Sequence, residues 1–217
     1  MTPAQRCEFV RANTEILSPP LVPEVVLHLA HEALPIWQKT EEELGAIGLP
    51  PPFWAFAWAG GQALARHILD NPENVRGKRV LDLASGSGLV AIAAMKTGAA
   101  SAQAADIDHF AVEAVALNAK LNAVLVTPIA DDLLDKDPPR DMDAILVGDL
   151  FYEKHLATHC LDWLNQAHAN GIDVLIGDPG RSYLPKEKLK RIAEYAVPVT
   201  RELEDAEIKK TAVWRLA

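Results

Sequence analysis

Cysteine is scarce: the 217-residue chain carries two, Cys7 and Cys160, far apart in sequence. Two such thiols make no disulfide framework, so the expected setting is a reducing compartment, the cytoplasm. Positive charge is in deficit, with 21 Lys and Arg against 30 Asp and Glu and a formal net charge of −9. Non-specific binding to DNA or RNA depends on clustered cations, so no nucleic-acid partner is expected. An acidic protein can instead attract a cationic substrate. Long apolar runs are missing: no window approaches the roughly 18 apolar residues of a span, so no membrane association is expected. The start, MTPAQRCEFV, lacks the apolar core of a signal peptide and the Arg-rich, acid-poor makeup of a transit peptide. Internal repeats and low-complexity tracts are absent as well.

What is present is a globular composition, 49% hydrophobic and 24% charged, on a chain long enough to bury its apolar surface without staples. The first 50 residues look helical and rich in breakers, and SPPLVPEVVLHLAHEALPIWQ carries apolar residues at helical spacing after its prolines. GLPPPFW at 48–54 must be extended, because each proline disfavours helix in the residue before it. The expected division is an N-terminal helical extension over 1–50 and a main domain over 51–217.

From residue 80 the pattern alternates. Strands are expected at Val80–Leu83, Ala102–Ile107, Val124–Ala130, 142–149 and 172–178. Helices are expected at Gly88–Thr97, Phe110–Leu121 with Asn122 as its C-cap, Lys154–Ala169 and Lys186–Tyr195. Val197–Leu203 and Ile208–Leu216 read as a closing antiparallel pair. Buried strands alternating with helices mean an α/β, doubly wound, mostly parallel sheet of seven strands with an antiparallel last strand. Ligands of such sheets bind beyond the C-terminal strand ends, where Asp82, Asp106, Asp131, Asp132, Asp149 and Asp178 fall.

The first of those ends carries VLDLASGSGLVA at 80–91. Literally, GSGLVA satisfies the dinucleotide fingerprint, with Asp106 20 residues after Gly86. A phosphate loop is excluded, because no Gly-Lys-Ser/Thr follows. Asp82 weighs against a dinucleotide, since a carboxylate beside the loop opposes an anionic pyrophosphate. It suits a nucleoside whose other half is cationic, and S-adenosylmethionine carries an ammonium and a sulfonium. The loop glycines then admit close backbone approach, and Asp106 accepts from the ribose hydroxyls. A dehydrogenase is disfavoured further by the lack of room for a substrate domain and of any Tyr-x-x-x-Lys pair.

VLDLASGSG, AADID, DDLL and GDLFYE, in this order, resemble class I, seven-strand S-adenosylmethionine-dependent methyltransferases, with a Rossmann-like fold. Asp149-Leu-Phe-Tyr152 resembles the Asp-x-x-Tyr signature of a lysine methyltransferase group. FWAFAWAGGQALARHILDNP at 53–72, GSGLVAIAA and LIGDPGR resemble, more narrowly, the electron transfer flavoprotein β-subunit lysine methyltransferase family. The resemblance runs from about residue 50 to the end.

It implies methyl transfer from S-adenosylmethionine, leaving S-adenosylhomocysteine, to lysines of a protein partner, the electron transfer flavoprotein β subunit. A ribosomal protein or small molecule is the alternative acceptor, and a non-catalytic nucleoside-binding module the alternative from another class. The implied cofactor residues are Trp58, Asp82, Ala84, Ser85, Gly86, Gly88, Asp106, Asp132 and Gly148. Asp132 would accept from the adenine amino group, with Asp131 as its rival. Ala84 departs from the pattern, standing where many methyltransferases have the first loop glycine. Asp149 and Tyr152 are the implied catalytic pair: Asp149 would orient the amine, and Tyr152 would wall it or hydrogen-bond to it. The bland role for Asp149 is the N-cap of the following helix. Trp54 and Phe56 suit the core. Asp178 and Arg181 either line the protein-substrate side or form a local salt bridge. His155/His159 and His28/His31 have helical spacing but no third ligand, so no metal is expected.

Overall fold

The computed structural model describes residues 1–30, 50–199 and 207–216. Helix α1 (Pro3–Ala12) opens the chain. Thr2 and Gln5 form its capping box, each side chain bonding the other's backbone N–H. Two short strands follow, β1 (Glu15–Leu17) and β2 (Leu27–Leu29), paired antiparallel. This corrects the helical reading of residues 15–29. Pro19, Pro20 and Pro23 remove helix donors, and Val22, Val25 and Leu27 are fully buried in the same core as helix α2. The rest of the expected helical extension, 31–49, lies outside the described residues.

After a short 3-10 turn at Phe53–Ala55 comes α2 (Ala59–Asp70). The alternating part then runs β3 (Arg79–Leu83), α3 (Leu89–Lys96), β4 (Ser101–Asp106), α4 (His109–Leu121), β5 (Thr127–Ala130), β6 (Ala144–Gly148), α5 (Lys154–Ala169), β7 (Asp173–Asp178), β8 (Leu189–Pro198) and β9 (Ile208–Leu216). The seven-stranded sheet has the order β5-β4-β3-β6-β7-β9-β8. Pairings from β5 through β7 are parallel, and β9 is antiparallel to both neighbours.

Both faces of the sheet are covered, which explains the near-continuous apolar strands. Val80, Ala102, Ala144, Leu146 and Leu175 pack beneath α2 and α3. Leu81, Leu83, Ile145, Val147 and Ile176 face Cys160, Trp163 and Leu164 of α5. Burial pushes the Cys160 thiol up to about 12, so it behaves as a core residue. Helix α4 ends at Asn122, but the left-handed residue there is Ala123, with φ 53°.

The expected helix over Lys186–Tyr195 is corrected: after a 3-10 turn at Lys186–Lys188 the chain enters β8, paired with β9 from Leu189↔Leu216 to Pro198↔Ile208. The segment has helix-forming Lys, Glu and Ala, but pairing along all of β9 overrides that preference. The closing pair therefore starts earlier than expected, and residues 200–206 lie outside the described set. Exposed Lys190, Arg191 and Glu194 suit the sheet edge this strand forms.

Strand order reverses at β3. From there the chain moves to β4 and β5 on one side, then to β6 and β7 on the other. The crevice for a ligand lies beyond the C-terminal ends of β3 and β6.

Candidate active site

One cleft opens at that switch point. Trp58, Gly61, Asp82, Ser85, Gly86 and Gly148 line it, with Ala84 beside them. Six of the sequence-predicted cofactor residues, Trp58, Asp82, Ala84, Ser85, Gly86 and Gly148, thus share one wall although 90 positions separate the first from the last.

The loop after β3 is built from left-handed turns. Gly86 (φ 51°) and Gly88 (φ 77°) suit that conformation. Gly88 is the N-cap of α3, and a Cβ there would come 3.0 Å from Val115 of α4, so it positions the loop without lining the cleft. Ala84 also has positive φ, 53°, where a side chain is strained. That explains why glycine is common at this place. Ala84→Gly is expected to raise stability by about 0.5–1 kcal/mol, the relieved strain less the added unfolded-chain entropy. Denaturant midpoints of the two proteins check it.

Asp82 is 1% exposed. Its Oδ2 accepts from Ala91 N at 2.9 Å, so it caps α3 from the neighbouring strand. Burial pushes its carboxyl well above the usual range. Its contribution is therefore to hold the helix start under the loop as well as to line the cleft. Asp106 is shared in the same manner: Oδ2 accepts from Gly86 N and Oδ1 from Asp108 N, both at 2.9 Å. Each oxygen retains acceptor capacity for a further donor. Asp132 accepts from Leu134 N at 3.0 Å in a local turn, while its rival Asp131 is ion-paired with Lys136.

Asp108 caps α4, accepting from Phe110 N at 2.8 Å. Burial first, then the Asp106 charge, pushes its carboxyl up to about 6 from an ordinary 3.8. The folded-state value is raised, so the cost of ionising it is absent below about 3.8 and complete above about 6. Stability from this group falls as pH rises through that window. Asp108→Asn keeps the cap and should flatten the slope of denaturant midpoint against pH between these limits.

The second half of the site sits at the end of β6. Asp149 has positive φ, 57°, and its N–H donates to Gly177 O at 3.0 Å. Its side chain is 7% exposed. Oδ2 accepts from Gly60 N in the first turn of α2. Oδ1 accepts from Arg181 Nε at 2.8 Å and Nη2 at 2.7 Å. The N-cap reading of Asp149 is corrected: Glu153 caps α5, accepting from His155 N and Leu156 N, and Asp149 lies buried four residues earlier.

Three glycines let α2 approach the strand ends. A Cβ on Gly60 or on Gly177 would collide with the other's backbone carbonyl, and one on Gly148 would come 3.0 Å from Gly61 Cα. A Cβ on Gly61 itself meets nothing within 4 Å. The two glycines after Trp58 therefore have different roles: Gly60 admits the protein's own backbone, and Gly61 faces the cleft.

Trp58 anchors its indole by donating to Phe53 O at 2.9 Å, and Arg181 Cζ lies 5.9 Å from its ring centroid. Tyr152 is 48% exposed and its ring lies 6.0 Å from that of Phe53. Burial, reinforced by the charges of Asp106 and Glu153, raises its phenol, so it is a neutral hydroxyl at ordinary pH. Trp54 stacks on Phe110 and, with Phe56, belongs to the core as expected. Asp178 accepts from Gly180 N and Arg181 N through Oδ1, and its Oδ2 is buried with no hydrogen-bond partner. The salt bridge of Arg181 is with Asp149, not within its own turn. Sequence reasoning missed that pairing and the glycine contacts. The signals were the double glycine after Trp58 and Gly177, a glycine after the apolar run of β7.

The cleft fits a nucleoside carrying a polar amino-acid tail. Ser85 Oγ is buried in its wall without a hydrogen-bond partner, which is costly unless a ligand supplies one. Among the described residues, no group of three or more His, Cys, Asp or Glu side chains could hold a metal, and no helix is long and apolar enough to cross a membrane.

Sheet order, antiparallel last strand and cleft define a Rossmann-like methyltransferase fold of the seven-strand class. Trm5b from Pyrococcus abyssi is similar in fold, with a TM-score of 0.53 at 15% identity over 94% of this chain and 56% of that one. A family model, ribosomal protein L11 methyltransferase (PrmA), matches residues 63–147. The electron transfer flavoprotein beta subunit lysine methyltransferase of Danio rerio is 38% identical, covering 95% of this chain and 81% of that protein. The protein of the same name from Rattus norvegicus is 39% identical, covering 95% and 82%. The chain belongs to this lysine methyltransferase family.

Proposed function

We propose that the chain is an S-adenosylmethionine-dependent protein-lysine N-methyltransferase whose substrate is the β subunit of electron transfer flavoprotein. The observation that carries this reading is Asp149: a buried carboxylate next to Gly148 of the cleft wall, already holding one side-chain cation, Arg181. Membership of the family supports the choice of partner, and the net charge of −9 suits a substrate presenting lysine. The free cysteines Cys7 and Cys160 suit a reducing compartment such as the cytoplasm.

When bound, S-adenosylmethionine supplies a methyl group activated by the adjacent sulfonium. Ser85, Gly86 and Gly61 would meet its amino-acid part, Asp106 its ribose hydroxyls, and Asp132 its adenine, with Trp58 against it. The chain's remaining work is positioning, which is where most of the rate gain of such a displacement lies. The lysine would arrive neutral, its lone pair would form the new nitrogen–carbon bond as the sulfur–methyl bond breaks and S-adenosylhomocysteine leaves, and its surplus proton would be lost afterwards. Asp149 orients the amine by accepting from its N–H groups and passes the proton on, directly or through water. Tyr152, half-exposed and neutral, forms the outer wall.

Tritiated-methyl transfer to purified electron transfer flavoprotein β subunit tests the proposal, with labelled lysines located by mass spectrometry. Ribosomal proteins serve as parallel acceptors, because the ribosomal protein L11 methyltransferase family model matches residues 63–147 and such an enzyme of Escherichia coli is 36% identical over 115 residues. Label in the ribosomal protein alone would move the assignment there. Cofactor binding with no label in any acceptor would leave the nucleoside-binding module instead.

A further inference from the structure

Arg181, in the turn after β7, reaches the candidate acceptor carboxylate at the end of neighbouring β6, and its placement is specific. Arg181 Nε and Nη2 converge on Asp149 Oδ1, while Oδ2 accepts from Gly60 N. Oδ1 is therefore the side of the carboxylate that a cation can approach. The guanidinium also lies 5.9 Å from the Trp58 ring centroid, within cation–π range. One carboxylate oxygen and one aromatic face are what an incoming lysine side chain would need. The chain's own cation already holds both.

The arrangement lets the side chain leave without the loop. Asp178 Oδ1 fixes the backbone N–H of Gly180 at 2.6 Å and of Arg181 at 2.7 Å. The Arg181 side chain is 22% exposed, against 7% for Asp149, so it is the more solvent-accessible member of the pair.

We infer that Arg181 occupies the place of the substrate's lysine head group and must be displaced from Asp149 before a lysine can bind, which makes it a specificity-determining residue of the reaction proposed above. The inference rests on that reading of Asp149. A site closed by its own cation is open for only a fraction of the time, and apparent affinity falls by that fraction. Lysines on short, weakly held peptides are then excluded, whereas a lysine delivered by a docked protein gains enough binding energy to displace the guanidinium.

Arg181→Ala tests this, with Arg181→Gln as the partner variant should the first fold poorly. KM for a short lysine peptide should fall about tenfold, and much less for the intact protein substrate. Methylguanidinium should inhibit the variant competitively against the peptide, and should raise the melting temperature of the variant but not of the parent enzyme. If Arg181 merely orders Asp149, the variants will lose kcat with KM unchanged or raised, and methylguanidinium will restore activity. That result overturns the inference, as does the absence of any thermal shift. A parent enzyme that methylates no lysine would refute the proposed function instead, and the thermal shift would still report whether the cation position exists.

Discussion

Asp149→Asn is expected to lower kcat for lysine methylation by about 10²–10³-fold while leaving affinity for S-adenosylhomocysteine near that of the parent enzyme. Asparagine tolerates the left-handed backbone at φ 57° better than other side chains. The variant should therefore keep the turn after β6. It has a single acceptor oxygen where the carboxylate has two, so it cannot serve Gly60 N on one side and a cation on the other. The amine then loses the acceptor that aims its lone pair, an effect confined to the acceptor half of the site. Asp149→Ala should be equally inactive and less stable, because it leaves Gly60 N–H without its bond and Arg181 without this counter-charge. Single-turnover transfer and calorimetric titration with S-adenosylhomocysteine separate the two halves. A collapse of cofactor affinity in Asp149→Asn would show that Asp149 serves the cofactor.

Gly60→Ala and Gly61→Ala, adjacent in the first turn of α2, should behave in opposite ways. A Cβ at Gly60 runs into the Gly177 carbonyl and the Asp149 carboxylate. Neither can yield cheaply, since one is sheet backbone and the other is bonded on both oxygens. A loss of about 3 kcal/mol is expected, at the upper end for overpacking, with transfer lost as well because Asp149 must shift. A Cβ at Gly61 meets open space and replaces a poor helix former, so stability should hold or rise by up to about 1 kcal/mol. That methyl would project into the cleft, and weakened cofactor binding is its expected cost. Denaturant unfolding and titration with S-adenosylhomocysteine distinguish the pair. Equal stabilities would mean that α2 does not sit on the strand ends as described.

The sequence by itself determined the α/β alternation, because apolar runs such as Ala144–Gly148 are buried on both faces and need helices over each. It determined the loop at 84–88, because glycines between a strand and a helix have few other uses. It located Asp149 at a strand end, since strand order places those ends together whatever the loops do. Lys154–Ala169 was legible to the residue, with apolar periodicity and a stop near Gly171.

Only the tertiary structure decided the rest. Leu189–Pro198 carries helix-forming residues and becomes a strand because β9, the next strand in the chain, is held in the sheet by β7 and offers a long edge to pair with. Residues 15–29 fold as a hairpin held by α4: Asn118 accepts from His28 N, and Asn122 bonds both N–H and C=O of Val26. The Asp149–Arg181 pair joins residues 32 positions apart, and Gly60 of α2 meets Gly177 of β7. Periodicity and capping are local signals. Which cation reaches a given carboxylate, and which Cβ a neighbouring backbone forbids, depends on distances that no local pattern encodes.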